Sequence, residues 1–165
     1  MLKQAILYEE QLKRKYIEAS CDDYFKFYFS SSCREFSLKI HDNDYWTIQM
    51  VSVDKNDNII GFISVDMNND SKVAKYFGII NFTKKPNIIF AMDVIRFLRD
   101  LRDRHNASKF EFTAFVDGSA ERMYQKFIKN HGGRVVGTYK NSTKLIDGKY
   151  YDSRMFEIMR EDMNF

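Results

Sequence analysis

The sequence predicts a mixed α/β domain in which a central, mostly antiparallel sheet is flanked by helices. Three observations lead there. Strand-like alternation of apolar and polar residues fills 45–53, 59–67 and 72–82, and returns after residue 108. Two stretches with apolar residues at intervals of three and four, 88–105 and 120–130, interrupt the strands. The 165 residues include one proline and are 44% hydrophobic, enough chain for one core and no proline-rich linker to divide it. The chain therefore reads as a single domain over 1–165, with 1–44 variable in texture and 45–160 carrying the sheet and its crossover helices.

Residues 1–41 mix charges with aromatics. Leu2, Ile6, Leu12, Tyr16 and Ile17 have helix-like spacing, while Ala5 to Tyr8 equally suits a short strand. Tyr24, Phe25, Phe27, Tyr28 and Phe29 suit a helix packed on a sheet. From Tyr45 the order is plainer. Trp46, Ile48 and Met50 alternate with Thr47, Gln49 and Val51, giving a strand. The cluster Asp54 to Asn58 is a turn, so Ile59 to Met67 completes a hairpin. A turn at Asn68 to Asp70 leads into a third strand, Lys72 to Phe82. After a loop at Thr83 to Asn87, Ile88, Ala91, Met92, Ile95, Leu98 and Leu101 mark the apolar stripe of a helix. Arg96 with Asp100, and Arg99 with Asp103, are spaced to pair on its polar side. Lys109 to Val116 alternates again. Asp117-Gly118-Ser119 reads as the cap of the helix Ala120 to Asn130, and His131-Gly132-Gly133 as its stop. Arg134 to Lys140 and Tyr151 to Met159 close the sheet around a loop at Asp147-Gly148.

Charge and composition exclude several classes. Lys and Arg number 26 against 23 Asp and Glu, a net +3 that argues against nucleic acid as a partner. The apolar runs, such as Ile59 to Val65, fall far short of the roughly 20 residues of a membrane helix. Met1 to Arg14 lacks the apolar core of a signal peptide, so a cytoplasmic location is expected. Cys21 and Cys33 are read as reduced thiols. His41, His105 and His131 are scattered, without the spacing of a zinc site.

The element order from Tyr45, β-β-β-α-β-α-β-β, resembles that of the GNAT superfamily of acetyl-CoA-dependent N-acyltransferases. The local likeness is densest at 117–160. Family members tend to carry Asn, then Ala three residues on, then Tyr seven residues on; here those places hold Asp117, Ala120 and Tyr124. A glycine-bearing helix exit (His131 to Gly137) and a closing hairpin (Asp147 to Asp152, then Met155 to Ile158) follow. The resemblance covers about residues 45–160 and implies a GNAT-like acyl-CoA N-acyltransferase fold. The cofactor segment departs from the pattern. The family places Gln/Arg-x-x-Gly-x-Gly/Ala before a helix, so that backbone N–H groups close on a pyrophosphate. Phe82 to Ala91 here contains no glycine, and Pro86 removes one donor.

What the resemblance implies is an acetyl transfer from acetyl-CoA to the amine of a small molecule or protein. Tyr124 would protonate the leaving thiolate, although Ala120, Met123, Phe127 and Ile128 share its helix face and equally suit a core tyrosine. The strand Ile80-Asn81 would stabilise the thioester oxygen and pair with the pantetheine arm. Phe82, Thr83, Lys84, Lys85 and Asn87 would meet the pyrophosphate, with Lys84-Lys85 otherwise an ordinary solvated turn. Asp117 and Ala120 would flank the cofactor, although an acid at 117 disfavours a nearby phosphate. Asp66 and Glu111 are the candidate general bases, charges inside strand patterns that alternation can also turn to solvent. Residues 1–44 and the 138–152 hairpin would contact the acceptor, and a homodimer is compatible with the fold. The alternative is a catalytically inactive GNAT-like scaffold, such as a phage or phage-related structural protein, virion-associated and suited to the Lys/Asn/Phe/Tyr-rich composition. A different acyl donor, a tRNA acetyltransferase and a nucleic-acid-binding module are further readings, the last two disfavoured by the low charge.

Overall fold

The computed structural model describes residues 1–29 and 38–165; Cys33 lies outside them. Among the described residues, seven strands form one sheet: β1 (Leu2–Gln4), β2 (Thr47–Val53), β3 (Ile59–Asn68), β4 (Val73–Asn81), β5 (Lys109–Phe115), β6 (Arg134–Lys144) and β7 (Tyr150–Met159). Their order across the sheet is β1-β2-β3-β4-β5-β7-β6. Every neighbouring pair is antiparallel except β4 and β5, which run parallel. Among the described residues, three α-helices flank it: α1 (Glu9–Ser20), α2 (Ile88–Asp103) and α3 (Ser119–His131). The mixed, mostly antiparallel architecture expected from the sequence is the one observed.

Alternation in β3 and β5 explains the layering. Ile63, Val65 and Met67 of β3, with Phe110 and Phe112 of β5, share a buried cluster with Phe97 and Leu101 of α2 and Tyr124 of α3. The opposite face of the sheet is covered by the N-terminal region. Leu12 of α1 packs with Val51, Val53 and Phe62, and Ala19, Phe25 and Phe29 pack with Ile80. Along the inner strands side chains alternate between these two layers because successive residues point to opposite faces, whereas β6 is exposed along almost its whole length.

Several local expectations are corrected. Leu2 belongs to no helix; Leu2–Gln4 pairs with Met50 to Ser52 at the sheet edge. Ala5–Tyr8 is a 3-10 turn, neither strand nor α-helix. Asp23–Tyr28 is also 3-10, opened by Asp22, whose carboxylate accepts the Tyr24 N–H. Strand β6 continues to Lys144 through a bulge between Tyr139 and Thr143.

The apolar stripe expected for α2 is rotated. Ile88, Ala91 and Met92 are exposed, and the buried residues are Phe90, Asp93, Phe97, Leu98 and Leu101. The cause is Gly61 on β3: the Phe90 ring occupies the space that a Cβ there would fill. That close approach seats the first turn of α2 on the sheet. Asp93 is satisfied in the interior by the Ser52 hydroxyl at 2.7 Å. The expected ion pairs are replaced as well: Arg96 turns back to Asp93, Arg104 pairs with Asp100, and Arg102 takes Asp103.

Candidate functional site

The parallel pair β4 and β5 provides the opening. The two strands pair only at Val73 with Lys109 and Ala74 with Phe110. Beyond those residues the backbones of the two strands stop pairing and part, although the Phe77 and Phe112 rings still meet on one face. A bulge starts the divergence: Ser64 opposes Gly78 and Asp66 opposes Lys75, leaving Tyr76 and Phe77 against Val65 alone. Tyr76 holds φ at 55°, a left-handed conformation unusual for a bulky residue. The C-terminal ends of parallel strands are where open sheets bind ligands, and Ile80 to Asn87 lie at this end, whereas Asp66 and Glu111 do not.

Ile80, Asn81 and Phe82 end β4. The loop behind them closes on itself. The Asn81 carboxamide oxygen accepts the Thr83 N–H at 3.0 Å, and its NH2 donates to the Lys85 carbonyl at 2.8 Å. The Thr83 hydroxyl lies 2.7 Å from Asn81 Oδ1. Lys84 takes φ 57°, a left-handed conformation achieved without glycine. Asn87 caps α2, its side chain accepting the Phe90 N–H at 3.1 Å. The amides of Ile88 and Ile89 in the first helical turn have no intrahelical acceptor, as at any helix start. The loop thus combines two lysines with the positive end of a helix, a setting that favours an anion. Asn87→Ala removes the cap and should cost about 1 kcal/mol, read as a lower urea midpoint; Asn87→Asp should retain the midpoint.

Asp117, Ala120 and Tyr124 lie across the gap, at the start of α3. Asp117 does not cap the helix. The N-cap position is Gly118, which has no side chain to offer, and Asp117 sits at φ 67°. Glu121 supplies the acceptor instead, taking the Asp117 N–H at 2.8 Å from inside the helix. Ala120 packs at the edge of the core. Tyr124 is buried, 7% exposed, with its ring 5.2 Å from Phe112 and 5.9 Å from Phe156. Burial pushes its phenol well above the ordinary range, and the neighbouring Tyr28 adds to the rise. Tyr124 is therefore firmly protonated, and is better suited to donating a hydrogen bond than to giving up its proton.

The two candidate bases are not brought to Tyr124. Asp66 alternates with Val65 and Met67, which face the helices α2 and α3, so it points to the other side of the sheet. There it accepts the Thr47 hydroxyl at 3.1 Å. Glu111 likewise alternates with Phe110 and Phe112. It is 2.5 Å from Lys109, which also reaches Glu157, itself paired with Arg134. Both carboxylates are occupied within the sheet surface.

Sequence reasoning assigned residues 1–44 to the acceptor without singling out which of them face the gap. Tyr28 packs at the Ile80 cluster, on the face away from α3. Its hydroxyl nevertheless bonds with the Ser119 side chain at the start of α3. Tyr28 therefore extends from the end of β4 toward the start of α3. Next to it, Ser20, Cys21, Asp22, Asp23, Lys26 and Asp147 help to line a cavity of about 160 Å³. Three carboxylates and one ammonium give it a net negative character. The sequence signal for this segment, an acidic pair before an aromatic run, has no meaning until the chain is folded over the gap.

Among the described residues, no helix is long and apolar enough to cross a membrane, and no cluster of three or more acidic, His or Cys side chains is arranged to hold a metal ion. No family model and no curated protein matches the sequence. Solved structures do. The fold is similar to spermidine/spermine N-acetyltransferase SpeG from Vibrio cholerae in complex with manganese ions, at TM-score 0.60 and 24% identity over 73% of this chain and 68% of that one. A dodecameric form of the Vibrio cholerae spermidine N-acetyltransferase in an intermediate state gives TM-score 0.60 and 22% identity, covering 72% and 67%. A point mutant of the same enzyme gives 0.60 and 23%, covering 75% and 71%. These likenesses establish the acyltransferase fold that the element order implies.

Proposed function

We propose that this protein is an acetyl-CoA-dependent N-acetyltransferase acting on a cationic amine. The observation that carries the reading is the parting of β4 and β5 after Ala74 and Phe110, in a fold shared with spermidine N-acetyltransferases. Acetyl-CoA would supply an activated acyl thioester. The residues present suit it. The strand edges facing the gap, freed of each other, offer backbone groups to an extended amide-bearing arm. Lys84, Lys85 and the first-turn amides of α2 offer positive charge to a pyrophosphate. Asp117 stands as a negative charge on the far side of the gap, which favours the Lys84 side for the phosphates.

In this reading the protonated phenol of Tyr124 would donate a hydrogen bond to the sulfur leaving group. The raised pKa makes full proton transfer to a thiolate less favourable than for an exposed phenol near 10, so its contribution is stabilisation by a donated hydrogen bond. The amine enters from the side of Tyr28 and the acid-lined cavity, where Asp22, Asp23 and Asp147 favour a positive charge. Among the described residues, Asp66 and Glu111 are engaged elsewhere with Thr47 and Lys109, so the amine's proton would leave through water.

Isothermal titration with acetyl-CoA and with coenzyme A tests the donor. Binding in the micromolar range is expected, weakened by Lys84→Ala or Lys85→Ala; no binding at millimolar ligand refutes the reading. An acceptor screen of polyamines and other primary amines then follows. Tyr124→Phe should lower kcat about tenfold with little change in KM, the effect of one hydrogen bond made in the transition state.

A further inference from the structure

The segment from Asp22 to Tyr28 forms a strap across the open ends of β4 and β5, anchored on both sides of the gap. At the β4 side, the Asp22 carboxylate is paired with the Lys84 ammonium. Phe25 packs on Phe82 with ring centres 6.5 Å apart, and Lys84 Nζ stands 6.0 Å above the Phe25 ring. At the other side, Phe27 meets the Tyr151 ring edge to face at 5.5 Å and lies beside Gly118. Lys26 approaches Asp147 at 3.9 Å. Tyr28 packs at the Ile80 cluster and bonds with Ser119 at the start of α3. The strap thus closes the acceptor side of the gap, and one of its anchors is a residue of the loop that would hold the pyrophosphate.

We propose that Lys84 is a latch with two anionic partners: paired with Asp22 it holds the strap over the gap, and paired with a phosphate at the loop it releases the strap. The inference rests on the acetyl-CoA reading of that loop. An ammonium shared between a carboxylate and a pyrophosphate would set two anions side by side, so the two partners compete. The pair is half exposed, with Lys84 at 52% and Asp22 at 30%, which makes it weak enough to exchange. Asp22 is held below the usual carboxylate range, first by Lys84 and then by the Tyr24 N–H; it stays charged and competing throughout the neutral range. Coupling of this kind is reciprocal. Donor binding loosens the strap, and loosening the strap strengthens donor binding. The acceptor amine then gains access only after the donor is loaded, which keeps Tyr28 over the gap while no acyl group is present.

The test uses the full chain, coenzyme A as the probe, and the variants Asp22→Asn and Lys84→Ala. The carboxamide introduced by Asp22→Asn would still accept the Tyr24 N–H and open the 3-10 turn, so the strap should fold. Asp22→Asn should bind coenzyme A about three- to fivefold more tightly than the wild type, the scale of one exposed ion pair. That gain should vanish in the Lys84→Ala background, because the competition runs through Lys84. Hydrogen exchange at 22–28 should quicken in the wild type when coenzyme A is added. Wild-type binding that Asp22→Asn leaves unchanged or weakens overturns the latch alone. So does slower exchange of the strap on binding. No coenzyme A binding in any of the proteins overturns the reading of the loop, and the latch with it.

Discussion

Phe112→Ala is expected to destabilise the protein by about 4 kcal/mol, the cost of removing a fully buried aromatic ring and leaving a cavity. Phe112 is 2% exposed on β5. Its ring lies 4.7 Å from Phe77 of β4, 5.2 Å from Tyr124 and 6.0 Å from Phe127 of α3. It therefore spans the strand on one side of the gap, the strand on the other, and the helix that presents Tyr124. Neighbouring rings as rigid as these collapse poorly into the space left behind. A domain's whole stability is about 5–15 kcal/mol, so the variant should retain only a marginal native state. Urea unfolding followed by circular dichroism reads this as a large fall in midpoint. A fall of under about 1 kcal/mol, far below the usual cost of such a truncation, would mean that the aromatic cluster is not packed as described. Phe112→Leu keeps most of the volume and should lose much less.

Glu121→Ala should cost about 3 kcal/mol, because it leaves charge and donors without their partner. Glu121 is 5% exposed and receives Arg154, the Asp117 N–H at 2.8 Å and the Gln125 amide at 3.1 Å. One carboxylate therefore joins β7 to α3 and fixes the turn that leads from β5 into the helix. Arg154 keeps partial access to water, which holds the cost at the lower end for a broken interior pair. The paired replacement Glu121→Met with Arg154→Met should recover most of the loss, since it removes both charges together. Thermal unfolding of wild type, the two single Met variants and the double variant forms the cycle. An unchanged melting temperature for Glu121→Ala would show that the pair contributes nothing.

Neither residue is legible as a keystone in the sequence, and the reasons differ. Phe112 is one of several phenylalanines in alternating strands, and alternation says only that it shares a face with Phe110 and Ala114. Glu121 reads as one more polar residue in the first turn of a helix. Its role depends on Arg154, 33 residues away, reaching the same point from β7. The segment 117–124 is recognisable because spacing along one helix start is local. The loop 82–87 is legible for the same reason, as is the ability of Asn87 to cap α2. The carboxylates Asp66 and Glu111 stand out because charge is conspicuous within a strand, but alternation alone does not say which sheet face the helices α2 and α3 cover.

By itself the sequence determined which stretches are strands and which are helices from residue 45 onward, and the connection order that makes β4 and β5 a parallel pair. Those properties follow from backbone periodicity and turn chemistry, which act between residues a few positions apart. Tertiary structure alone decided the rest. It recruited Leu2–Gln4 to the sheet edge, since so short a segment makes a strand only against a partner. It rotated the buried stripe of α2, because Phe90 seats on Gly61 from a strand well upstream. It also laid Asp22 to Tyr28 across the gap, where Asp22 meets a lysine 62 residues on. Each of these outcomes depends on which distant surface is left uncovered once the sheet has formed, and no local pattern encodes that.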